Sequence, residues 1–141
     1  MTAGIVTEQP FTADELADRL ARVRGSMAAS DVAFLIASDP NDIYYLTGAR
    51  ELGGLIQMAL LVPASGAMAF VGRAVDAVAF VAHTGNDTVH PYRDHENAEA
   101  ALGRAVSALG GADARIGYNG AVLSAATLGA LRQALPRATW V

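Results

Sequence analysis

Neither cysteine nor lysine occurs in the 141 residues. Without a thiol or an ε-amine, the chain itself can carry neither thiol catalysis nor Schiff-base chemistry. It also has no disulfide framework, which fits a cytoplasmic protein. Charge is scarce as well: 17% of residues are charged, against about 25% in an average domain. The 10 basic residues are all arginine, scattered from Arg19 to Arg137, and the net charge is −4. Nucleic acid demands concentrated positive charge to neutralise phosphates, so it is not an expected partner. Long apolar runs are missing. The longest, around residues 55–64 and 74–82, are too short for the ~20 residues that cross a bilayer. The first residues show neither the basic nor the apolar region of a signal peptide, so no membrane or secretory role is expected.

Apolar residues dominate what is present, at 52% with a mean hydropathy of +0.29. That excludes intrinsic disorder, which needs few apolar residues and much charge. The length suits one domain over residues 1–141, large enough to bury a core without a metal or disulfide. Two readings of the sparse charge stand side by side. One is an alanine-rich, arginine-only coding bias; the other is a surface meant to be covered by something else.

The spacing of apolar residues predicts alternating helices and strands. Thr12-Ala13-Asp14-Glu15 reads as a capping box opening a helix over 11–29, with Phe11 and Leu16 as a hydrophobic staple. Leu16, Leu20, Val23 and Met27 form its apolar stripe, and Glu15/Arg19 and Asp18/Arg22 are i,i+4 pairs. Residues 32–37 read as a strand covered on both faces. Asp39 is then expected to cap a short helix with Pro40 in its first turn, ending at Gly48. After a loop over 49–55, runs at 58–62 and 67–71 flank Pro63-Ala64-Ser65-Gly66 and read as a hairpin. Helices are expected at 74–83 and 98–109, and after Ser124, with strands at 88–92, 115–118 and 139–141. The expected architecture is a three-layer α/β/α domain with a mixed sheet of about six strands.

Self-sufficient chemistry is hard to find. G-x-S-x-G, G-x-x-x-x-G-K-[ST] and G-x-G-x-x-G are all absent. His83, His90 and His95 lie near Asp87, Asp94 and Glu96, residue types that can ligate a metal. They lack H-x-x-x-H or H-E-x-x-H spacing, and the alternative is that Asp94 caps the next helix while His90 and His95 flank strand ends at the surface. Tyr44 and Tyr45 read as a pocket wall or as packing residues with at least one ring inward. Arg50-Glu51 reads as a recognition pair or as a solvated ion pair. The residues alone assign neither a catalytic nor a metal site.

The segment from Asp31 through Asp39-Pro40-Asn41-Asp42-Ile43-Tyr44-Tyr45-Leu46-Thr47-Gly48 resembles the N-terminal domain of the creatinase/prolidase/aminopeptidase P family, the pita-bread metallopeptidases. The matching positions are Pro40, Asn41, Ile43, Tyr45, Leu46, Thr47 and Gly48, with Asp42 intervening between Asn41 and Ile43. Val89-His90-Pro91-Tyr92-Arg93-Asp94, Ile116-Gly117-Tyr118-Asn119, the leucines up to Leu135-Pro136, and Trp140-Val141 follow in the family's order. Two positions depart from it. Ala49 stands where the family commonly has an aromatic residue, and its arginine–acid pair appears only as Arg73 with Asp76.

The resemblance implies a ribonuclease H-like fold and a non-catalytic role. Pro40, Asn41, Ile43, Leu46 and Thr47 would be structural, and Tyr45, Gly48, Arg50 and Glu51 would gate substrate access. It implies a second, catalytic domain holding two divalent ions (Mn, Co or Zn), none of whose ligands maps onto this chain. The chain is accordingly expected to be part of a longer Xaa-Pro peptidase, the alternatives being a creatinase-like amidinohydrolase or a natural stand-alone module. The implied partners are that catalytic domain, the second subunit of a homodimer, and short proline-containing peptides. A small-ligand site at the strand ends near Ser38 and Asn41 is the remaining alternative.

Overall fold

The computed structural model describes residues 9–50 and 57–141. Eleven elements alternate along the chain: α1 (Ala13–Ala29), β1 (Phe34–Ala37), α2 (Pro40–Thr47), β2 (Ala59–Pro63), β3 (Ala69–Arg73), α3 (Ala74–Thr84), β4 (Val89–Tyr92), α4 (Ala98–Ala108), β5 (Arg115–Tyr118), α5 (Ala125–Ala134) and β6 (Thr139–Trp140). The strands form one six-stranded sheet in the order β4-β3-β2-β1-β5-β6. β2 runs antiparallel to β1 and β3, while β1–β5, β5–β6 and β3–β4 are parallel. The sheet is therefore mixed, as the hairpin requires.

Alternation along β1 divides the core in two. Phe34 and Ile36 join Leu61, Val71, Leu102, Val106, Ile116 and Leu131 beneath α4 and α5. Ala37 joins Met27, Ile43, Leu46, Leu60, Val62, Phe70 and Phe80 beneath α1, α2 and α3. This is the three-layer arrangement expected when a central strand is apolar on both faces. Within the second cluster the Phe70 and Phe80 rings stack with centroids 4.6 Å apart.

Local signals account for most boundaries. The capping box is present in full: Thr12 Oγ1 accepts from the Glu15 amide, and the Glu15 carboxylate accepts from the Thr12 amide. The hydrogen bonds from Thr12 lower the Glu15 carboxyl below its ordinary range. The strand expected from Val32 starts at Phe34 instead. Asp31 turns the chain with φ 56, and the Val32 amide goes back to Met27 O at 2.8 Å, closing the helix end rather than joining the sheet. α4 is capped by Asn97, which accepts from the Ala100 amide at 2.7 Å, so the expected cap at Asp94 is corrected. Neither i,i+4 pair on α1 forms an ion pair among the described residues. Arg19 instead places its guanidinium over the Phe11 ring, 3.8 Å from the centroid.

Candidate functional site

α2 positions the residues that the sequence singles out. Asp39 accepts from the Asn41 amide at 2.8 Å and from Asn41 Nδ2 at 3.0 Å, and Pro40 supplies the first turn. This capping engages the polar groups of Asp39 and Asn41. Nearby, the Ser38 hydroxyl is buried without a hydrogen-bond partner among the described residues. Partial burial, followed by repulsion from Asp39, raises the Asp42 carboxyl. Ile43, Leu46 and Thr47 face the core. The Thr47 hydroxyl donates to Ile43 O at 2.6 Å and accepts from the Ala49 amide at 3.2 Å, rounding the helix end.

Gly48 ends α2 in the left-handed region at φ 74, its amide bonded to Tyr44 O at 2.7 Å. Two features disfavour a side chain here. The φ suits glycine, and a Cβ would lie 1.9 Å from Gln9 Oε1. Gln9 reaches this place because Nε2 donates to Thr47 O at 3.0 Å and to His83 O at 3.4 Å. The Arg50 amide then donates to His83 Nδ1 at 3.2 Å. That bond needs a lone pair on Nδ1, so the proton of a neutral imidazole sits on Nε2. The Arg50 side chain is exposed. Residues 51–56, and with them Glu51 and most of the expected loop, lie outside the described residues.

The two tyrosines divide. Tyr44 is half-buried with its ring 5.2 Å from Phe11. Tyr45 is 39% exposed, its carbonyl accepts from Arg19 Nη1 at 3.0 Å, and the Arg19 guanidinium lies 4.8 Å from its ring centroid. Tyr45 also borders a groove of about 610 Å³ between α1 and β5, with Arg22, Met27, Leu35 and Arg115. Tyr45 thus faces α1 while Arg50 is tied to α3.

A second polar group escaped the sequence reading. The Tyr92 hydroxyl donates to Gln57 O, bridging from β4 past β3 to the residues that lead into β2. Thr127 Oγ1 lies 3.0 Å from Ser124 Oγ, 3.4 Å from Glu99 Oε1 and 3.5 Å from Gln57 Oε1. Burial raises the Tyr92 phenol above its usual range, opposed in part by Arg73. Arg73 itself bonds Asp76 at 2.9 Å, and this bond is the main cause that raises its guanidinium. Only the Arg73–Asp76 spacing was visible in the sequence. Apart from Ser124–Thr127, three positions apart, the other hydrogen bonds join residues from 28 to 70 positions apart, which no local motif reports.

Among the described residues no three His, Asp or Glu side chains converge to hold a metal ion. His83 is engaged by Arg50, apart from His90 in β4 and from His95. The donor set of the described residues therefore does not fit a dinuclear metal centre.

Comparison with known proteins agrees with this geometry. The family model described as Creatinase/Prolidase N-terminal domain matches residues 19–141. The N-terminal domain of the cytoplasmic peptidase PepQ from Mycobacterium tuberculosis superposes with a TM-score of 0.70 at 23% identity, covering 88% of this chain and 91% of that one. The corresponding domain of a Streptococcus thermophilus dipeptidase gives 0.75 at 22% identity, with 87% and 90% covered. Dipeptidase PepE from Mycobacterium ulcerans gives 0.73 at 24% identity, but there 93% of this chain covers 35% of the larger one. Ectoine hydrolase of Halomonas elongata is 35% identical over 68 residues, 48% of this chain and 17% of that protein. The structural likenesses establish the fold, and the family model spans most of the chain. The chain belongs to the creatinase/prolidase family, as one of its N-terminal domains.

Proposed function

We propose that this chain is the non-catalytic N-terminal domain of an Xaa-Pro metallopeptidase, working in a homodimer and restricting access to the partner's active site. The observation that carries the reading is its superposition over nearly its whole length on the N-terminal domain of a peptidase and the corresponding domain of a dipeptidase. In this reading residues 1–141 form one domain of a cytoplasmic enzyme, and the pair of divalent ions is held by a catalytic domain outside the described fold. Arg50 is the residue we assign to substrate contact. Its backbone is anchored by His83, and its exposed guanidinium can pair with a peptide carboxylate.

Two measurements test this. The 141-residue chain with Mn²⁺ and an Xaa-Pro dipeptide should show no turnover; hydrolysis would overturn the account. In the parent enzyme, Arg50→Ala should lower kcat/KM by roughly 10- to 100-fold, the loss of one charge-assisted hydrogen bond. An unchanged kcat/KM discards the contact.

The similarity to ectoine hydrolase favours a second reading, in which the parent is a small-amide hydrolase related to creatinase. Assaying the parent against both ectoine and an Xaa-Pro dipeptide separates the two. A reading frame that encodes no catalytic domain after Val141 would favour the stand-alone interaction module.

A further inference from the structure

We infer that His83 is a positioning residue for Arg50: its neutral imidazole fixes Arg50 by accepting that residue's amide, and protonation of the ring releases it. The inference rests on the substrate contact assigned to Arg50 and adds what positions that contact and makes it depend on pH. Three successive amides lead out of α2, and each has a different kind of acceptor. The Gly48 amide goes to Tyr44 O at 2.7 Å, the Ala49 amide to Thr47 Oγ1 at 3.2 Å, and the Arg50 amide to His83 Nδ1 at 3.2 Å. The first two acceptors are oxygens that keep their lone pairs across the physiological range. The third is an imidazole nitrogen, which loses its lone pair when the ring takes a second proton.

The surrounding contacts hold both partners in place. Ala49 is 2% exposed, so the backbone is pinned one residue before Arg50. His83 lies in the last turn of α3, ahead of Gly85 at φ 69. Its carbonyl accepts from Gln9 Nε2, and the same nitrogen donates to Thr47 O. Gln9 thereby ties the exit of α2 to the exit of α3 through groups that do not titrate. Loss of the imidazole bond then frees Arg50 and leaves the junction closed. The ring is half-buried, so protons reach it from solvent. Arg50 is the charged residue it touches. On the elements around it, Arg73 of β3 bonds Asp76 in the first turn of α3, β4 carries His90 and Tyr92, α2 carries Asp42, and Asp87 follows the helix. Among the described residues no carboxylate forms an ion pair with the ring. A second proton therefore turns an acceptor into a donor that faces another donor, the Arg50 amide.

Amide exchange followed by NMR on the 141-residue chain reads the bond without any substrate. From about pH 8 to about pH 5.5, where histidines titrate, protection of the Arg50 amide relative to its intrinsic rate should fall by roughly three- to tenfold, the equilibrium worth of one hydrogen bond. The fall should follow the ring resonances of His83 and not those of His90 or His95. His83→Asn keeps an acceptor oxygen near the Nδ1 position and does not titrate, so its Arg50 protection should stay constant. Protection that ignores the His83 titration in wild type, or that falls equally in His83→Asn, overturns the inference. In the parent enzyme His83→Ala should lower kcat/KM by roughly three- to tenfold, and the ratio of His83→Asn to wild type should rise as pH falls. In an Arg50→Ala background the same His83→Ala step should change nothing; a full loss there means that His83 acts by another route and overturns the positioning role. An Arg50→Ala parent with wild-type kcat/KM discards the substrate contact, whereas exchange in the isolated chain fails only if the bond does, so the two failures are distinct.

Discussion

Gly48 ends α2 at φ 74 within the space that Gln9 fills. A Gly48→Ala substitution should cost about 1–3 kcal/mol from backbone strain and the clash, measured as a lower urea midpoint at unchanged m-value. In a Gln9→Ala background, which removes the contact, the same Gly48→Ala step should cost less and leave only the φ part. The Thr-Gly pair was legible in the sequence because a helix-terminating glycine is a local signal. Gln9 was not, because it reaches Gly48 only after the chain has folded back 39 residues. The same distance effect hid His83: its 33-residue separation from Arg50 carries no periodicity. The sequence offers His83 as a candidate metal ligand, and in the fold its accepting nitrogen instead holds a backbone amide.

Among the elements, α1 depends most on its ends. Met27 is its one buried residue, and Leu20 and Val23 are only half-buried against the core. Helices with little tertiary burial lean on their caps. Thr12→Ala should therefore lower global stability by about 1 kcal/mol, and amide exchange in the first turn of α1 should quicken more than in α4. Equal quickening in both helices would show that the cap acts globally and not on α1. Helices and the hairpin were readable because caps, staples and turns act within a few residues. The start of β1 was misjudged by two positions, since an apolar run cannot reveal that Val32 turns its amide back to Met27. The cap of α4 was misplaced at Asp94 because Asp94 and Asn97 are both good capping residues.

Over the whole molecule, Tyr92 joins β4 to the residues entering β2 across the intervening strand. Its phenol is raised above the unfolded value of 10.0, with burial the first cause. A raised acid stabilises the fold while protonated. Its contribution is complete below pH about 10 and is lost as pH rises through the folded value, where the phenolate can no longer donate to Gln57 O. Denaturation followed from pH 8 to 11.5 should show this loss for wild type. Tyr92→Phe should cost about 1 kcal/mol at neutral pH and flatten the alkaline decline; an identical alkaline slope in both proteins would remove Tyr92 from that role. The sparse charge can also be placed at this scale. Coding bias remains one contribution, but part of the deficit is concentrated on the outer face of α3, where Val75 and Val78 stand exposed.

By itself, the sequence determined the element order, the two-sided burial of β1, the hairpin that makes the sheet mixed, and, by resemblance, the family. These follow from apolar periodicity and from caps and turns that act over a few residues. Only the tertiary structure decided which residues meet around them. It tied Arg50 to α3 through His83 and turned Tyr45 toward α1, joined Tyr92 to Gln57, and left one face of α3 uncovered. Such contacts join residues tens of positions apart, and their geometry exists only once the layers have packed.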